Sequence, residues 1–143
     1  MERTETDVDR FLADIPGPRG DHLRTLDGII AEELSGLERV LWTGVMWGGT
    51  DQRIVGYGAI TQPRPRGAAV EWFLVGLAAQ QNHLSLYVNA AEDGEYLVRR
   101  RAAELGRVKV GAAAIAFAEP DDLELDALRA LLRRARELSP EVS

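Results

Sequence analysis

Apolar positions change their period several times along this chain, and the changes mark out its elements. Val8, Phe11, Leu12 and Ile15 fall at helical spacing, with Thr6 or Asp7 placed to cap the start and Asp9 in the first turn. Pro16-Gly17-Pro18 ends that helix, and Pro18 suits the first position of a second. Leu23, Leu26, Ile30, Leu34 and Leu37 then make a long stripe that ends near Gly36. From Arg39 to Trp47 short apolar runs split by Thr43-Gly44 predict an irregular strand or two, and Gly48-Gly49-Thr50-Asp51 is a turn signal.

The centre of the chain reads as strands. Gln52–Ile60 puts Ile54, Gly56, Gly58 and Ile60 on one face and Val55, Tyr57 and Ala59 on the other. Glycines two apart on one face predict a close approach by another element, here a helix. Pro63 and Pro65 make residues 61–67 a loop. Trp72–Ala79 is apolar on both faces, as in a central strand. His83–Val88 alternates, with Leu84, Leu86 and Val88 one way and His83, Ser85 and Tyr87 the other. Asn89 followed by Glu92 resembles a capping box, which predicts a third helix over about residues 90–105. Residues 108–117 return to strand with a break at Gly111. Pro120-Asp121-Asp122 opens a C-terminal helix striped by Leu125, Leu128, Leu131, Leu132, Ala135 and Leu138, with Arg133, Arg134 and Arg136 toward the end that favours cations.

Strands joined by such short turns must be antiparallel, and amphipathic helices need a sheet face to bury against. The pattern therefore predicts an α+β fold: a single antiparallel sheet with two N-terminal helices, one inserted and one C-terminal, packed mainly on one face. One domain spans residues 1–143, with a core from about 8 to 138.

Composition narrows the function classes. The chain has 143 residues, 45% hydrophobic and 28% charged, and a net charge of −6, as for one ordinary globular domain. It has no cysteine, which removes disulfides, thiolate nucleophiles and Cys-ligated metals. Both ends are acidic and residues 39–118 are mildly basic, so nothing favours a nucleic-acid backbone as partner. No apolar run is long enough to span a membrane, and the polar start does not read as a signal peptide, so a cytoplasmic location is expected.

Catalytic chemistry is thinly supplied. His22 and His83 are the only histidines, and neither stands in a metal-ligand frame. Ser85 lacks a nucleophile elbow, and Gly56 and Gly58 lack the third glycine of a dinucleotide fingerprint. The chain therefore reads as a non-enzyme. If Leu84, Leu86 and Val88 point at the helices, then His83, Ser85 and Tyr87 point away, joined by Tyr57 and by Trp72 or Phe73. Aromatic groups with polar handles on an uncovered sheet face make a binding surface. The plainer reading is that these rings close a minor core or a dimer contact. Carboxylates at Glu2, Glu5 and Asp9, at Glu32 and Glu33, and at Asp121, Asp122, Glu124 and Asp126 could hold hard cations weakly, although acids at helix starts are also explained by capping.

The segments VGYG (55–58), VGLAAQQNHLSLYV (75–88), ELGRVKVG (104–111) and EPDDLELDALRALLRRA (119–135) together resemble the YdhG-like family of small bacterial domains. The resemblance extends over about Val8 to Leu138 and implies the same α+β architecture. The family is largely of unknown function, and some members are described as frataxin-like iron chaperones. The chain departs from it in the loop TQPRPRGAA (61–69), at Ala78-Ala79-Gln80-Gln81 and at Ala112–Ala114, where polar or basic residues are usual.

The leading expectation is a non-catalytic binding module that holds a small molecule or a protein on Tyr57, Trp72, His83, Ser85 and Tyr87. A frataxin-like iron chaperone using acidic helix surfaces, with weak iron binding as its only cofactor call, stands second. A homodimer with the open face as its seam stands third.

Overall fold

In the computed structural model, which describes residues 1–45, 49–63 and 65–143, two N-terminal helices follow a short edge strand. β1 is Glu2–Arg3, α1 is Val8–Ala13 and α2 is Gly17–Glu33. Asp7 caps α1 by accepting from the Arg10 backbone N–H at 3.2 Å. β2 (Arg39–Val45), β3 (Asp51–Gln62), β4 (Val70–Ala79) and β5 (Leu84–Val88) follow. Next come a small hairpin, β6 (Ala91–Glu92) and β7 (Glu95–Tyr96), and one helical turn, α3 (Leu97–Arg100). β8 (Lys109–Val110), β9 (Ala114–Phe117) and α4 (Leu125–Glu137) complete the chain. Seven strands form one sheet in the order β1-β2-β3-β4-β5-β9-β8, antiparallel at every pairing. The α+β class read from the sequence is the observed one.

The helices cover one face. Leu12, Leu26, Ile30, Leu128, Leu131, Leu132 and Ala135 pack with Val55, Val75, Leu77, Leu84, Leu86 and Val88 in a single main core. Leu84, Leu86 and Val88 thus point at the helices, as their alternation predicts. A smaller second cluster holds Trp42, Ile54, Phe73 and Ala78, with Met1, Val40, Trp72 and Tyr87 packed against it. No helix residue takes part in it.

Four local expectations need correcting. The third helix is absent over most of residues 90–105. Asp93 and Gly94 adopt left-handed backbone angles (φ 53° and 80°) and close the β6–β7 hairpin, as an Asp-Gly pair does. Asn89 does not cap a helix: its side-chain amide donates to the Phe73 carbonyl at 2.8 Å, and Glu92 pairs with Arg134. Helical structure is left only to α3 and a 3₁₀ turn at Ala102–Glu104. Second, Pro120–Asp122 is a separate 3₁₀ turn, so α4 begins at Leu125. Third, β3 runs to Gln62, two residues into the expected loop.

The fourth correction concerns the glycines. Gly56 and Gly58 do not share a face, because the positive φ of Gly58 interrupts the pleat. Gly58 lies beneath Leu37 and Val142 on the helix side. Gly56 lies on the other face, where aromatic rings rather than a helix make the close approach. The expected irregular strand of residues 39–47 is β2 as far as Val45; Met46, Trp47 and Gly48 lie outside the described residues.

Gly56 and Gly76 are directly paired across β3 and β4. A Cβ on Gly76 would sit 2.4 Å from a ring carbon of Phe73, and one on Gly56 would sit 2.7 Å from the Trp42 ring. Gly76→Ala is expected to cost about 1–3 kcal/mol by overpacking. Urea denaturation checks this, and adding Phe73→Leu should recover part of the loss by removing the obstructing ring atoms.

Candidate functional site

The helix-free sheet face is built in rows set by the register. Val40, Gly56, Gly76, Tyr87 and Ala114 form one row across five strands, and Ser85 lies in the next, between Ala78 and Ala116. These small residues let large rings lie down on the sheet. Trp72 stacks on Phe73 with centroids 4.4 Å apart, and Trp42 meets both edge-on at 5.5 and 5.8 Å. Tyr87 meets Phe73 edge-on at 6.3 Å. Edge-to-face and offset contacts of this kind add to the stabilisation from area alone. The Arg3 guanidinium lies 5.9 Å above the Trp42 ring, at the β1 edge.

A polar line borders the aromatic cluster. The Gln80 side-chain amide donates to the Gln52 side-chain oxygen Oε1 at 3.0 Å and to the Tyr87 hydroxyl at 3.3 Å. Burial pushes the Tyr87 phenol above its ordinary value, and hydrogen bonds with Ser85 and Gln80 partly offset that. Ser85 is only 6% exposed, whereas Tyr87 and Trp72 are half-buried. Three of the five expected surface residues, Trp72, Ser85 and Tyr87, therefore share this face. Phe73, the alternative to Trp72, lies here as well. Trp42 was missed because it falls in a short, irregular run whose facing its local pattern does not set.

Tyr57 is a correction. It is 1% exposed and lies in the main core beneath the helices. Its register partner Val75 pairs in turn with Val88, so all three point at the helix layer. Its hydroxyl donates to Asp27 of α2 at 2.6 Å. Arg39 grips the same carboxylate with two bonds, at 3.0 and 2.7 Å, and reaches Asp9 of α1 at 2.9 Å. Burial foremost, and the Asp27 charge after it, raise the Tyr57 phenol well above its usual range. This network joins α1, α2, β2 and β3 with its polar groups satisfied, and its chemistry is structural.

His83 is the second correction. It precedes β5 in the β4–β5 turn and is exposed, away from Ser85 and Tyr87. It lines a small cleft with Arg19, His22 and Asn82.

Four of the nine carboxylates proposed as cation ligands, Asp9, Glu32, Glu33 and Asp122, have other partners. Glu33 accepts a two-bond grip from Arg133, at 2.9 Å each, and a further bond from Arg129 at 3.1 Å. Those arginines, Arg133 first, hold its carboxyl below the usual range against a desolvation cost. Asp122 accepts from the backbone N–H groups of Ala118 and Glu119, which lower its value. Among the described residues no group of three or more His, Asp or Glu side chains is placed to hold a metal ion, and no helix is long and apolar enough to cross a membrane. A cleft of about 650 Å³ between the end of the β3–β4 hairpin and residues 138–143 carries Glu71 and Glu141 and, among the described residues, no basic group.

No family model, no curated protein and no solved structure matches the chain.

Two stability outcomes follow from the Tyr57 network. Tyr57→Phe is expected to cost about 1 kcal/mol at neutral pH. Because the folded-state phenol titrates above its ordinary value of 10, its contribution is intact below that pH. It declines as pH rises from there toward the folded-state value, since only the unfolded chain releases the proton. Denaturation at pH 8 and at higher pH should show wild type losing more stability than Tyr57→Phe.

Proposed function

We propose that this chain is a non-catalytic binding module whose helix-free sheet face docks a macromolecular partner. One observation carries the reading: the rings of Trp42 and Phe73 already occupy the hollow above Gly56 and Gly76. The space in which a small molecule could sink against the sheet is filled by the chain itself. What remains is a surface in which Trp72 and Tyr87 are half-buried and the polar pair Gln52 and Gln80 borders Tyr87. Preformed aromatic groups with polar tips are the usual anchors of protein interfaces, since they bury area at little cost in conformational entropy.

The resemblance to the YdhG-like family fits a module of this kind but names no partner. The iron-chaperone alternative has little to draw on here, because Glu32, Glu33, Asp9 and Asp122 are already paired with arginines.

A photoreactive benzoyl-phenylalanine at position 72, with a control at Thr25 on the exposed side of α2, tests the proposal in cell extract. A discrete adduct from position 72, weakened by Tyr87→Arg and absent from position 25, is expected. An adduct with a second copy would make the face a seam between copies. No adduct from position 72, or equal labelling from both positions, would contradict the reading.

A further inference from the structure

The only two histidines of the chain, 61 positions apart in sequence, are brought to one place. His22 on α2 and His83 in the β4–β5 turn line the same surface cleft of about 220 Å³, together with Arg19, Asn82, Leu84 and Ala118. Arg19 and His22 are three residues apart on α2, so they share a helix face. Asn82 and His83 come from the turn that the Gln80 N–H closes onto the His83 carbonyl at 2.8 Å. The cleft thus has two walls, each contributing a nitrogen-bearing pair.

Arg19 is held in position. One terminal nitrogen of its guanidinium donates to the Gln80 carbonyl and the other to the Gln81 carbonyl at 3.1 Å. A guanidinium has five N–H donors, so three are left over, on a group already fixed against the turn. No carboxylate lines the cleft. The nearest acids along the chain are directed elsewhere or lie outside it: Asp21 faces Arg24 at 2.8 Å, Asp122 is taken by Ala118, Glu119 and Arg107, and Glu119 is exposed beyond Ala118. Every polar side chain lining the cleft can therefore donate a hydrogen bond, and three of the four can be cationic.

From this donor set we infer that the cleft between the start of α2 and the β4–β5 turn binds a small oxyanion of the phosphate or sulfate type. The guanidinium supplies a permanent charge, and the Asn82 amide and the imidazole N–H groups supply further donors. A divalent metal would find two imidazoles here but also the fixed positive charge of Arg19 and no carboxylate. Charge-assisted N–H donors arriving from two walls suit several oxygens on one centre. The site is distinct from the aromatic sheet face and does not depend on it.

Sulfate is the suitable probe because its charge is constant between pH 6 and 8. NMR titration of the full chain with sodium sulfate, at constant ionic strength held with chloride, should give saturable shifts of both imidazole signals and the Arg19 side-chain signal. Inorganic phosphate should compete for the same site. His22→Gln with His83→Gln should weaken binding several-fold while leaving the amide spectrum of the sheet unchanged, and Arg19→Ala should weaken it as well. Absence of saturable shifts would overturn the inference. So would binding that the histidine pair does not affect, or saturable zinc binding at pH 8 without any for sulfate.

Discussion

Two glycines that face each other at the middle of the sheet govern what this molecule can present to its surroundings. Side chains at positions 56 and 76 would hold the rings of Phe73 and Trp42 away from the backbone. Without them the rings lie on the sheet, and Trp72 and Tyr87 pack around their edges. A face that no helix covers thereby gains a small core of its own, and Ile54 and Ala78 are buried under aromatic groups rather than under helices. The sheet is covered on one side by helices and on the other by its own side chains. The second covering leaves a firm, partly exposed aromatic surface.

The helix side depends on arginine. Arg39 ties α1 and α2 to the start of β2 through Asp9 and Asp27. Arg129 and Arg133 join α4 to Glu32 and Glu33 at the end of α2, and Arg136 donates to the carbonyl of Ser35 at 2.9 Å just beyond it. Such contacts suit the carbonyl end of a helix. Exposed pairs of this type contribute little each; here they fix how α4 lies on α2, while the apolar stripe of α4 supplies most of the burial. Asp9, Asp27, Glu32 and Glu33 of the acidic N-terminal third are answered by these arginines.

Much of this was legible in the sequence. The alternation of Leu84, Leu86 and Val88 against Ser85 and Tyr87 gave both the strand and its facing, since a period of two leaves only one choice once a helix layer exists. The stripes of α2 and α4 were equally plain. Tyr57 was misplaced because β3 is apolar on both faces, so its parity could be assigned only through its pairing with Val75, and nothing in the local pattern announces the partner Asp27, 30 positions earlier. The helix expected over residues 90–105 failed where turn chemistry at Asp93-Gly94 outweighed a capping pattern at Asn89 and Glu92. The proximity of His22 and His83 is a product of tertiary packing alone, for which the sequence carries no local signal.

The account rests on a sheet with two differently covered faces, and side-chain reactivity distinguishes them directly. Hydroxyl-radical footprinting of the native chain, read by mass spectrometry at each residue, should label Trp72, Tyr87 and His83 readily and leave Tyr57, Leu84 and Leu86 protected. Labelling of Tyr57 as fast as that of Tyr87, or protection of Trp72 and Tyr87 together with modification of Leu84 and Leu86, would contradict it.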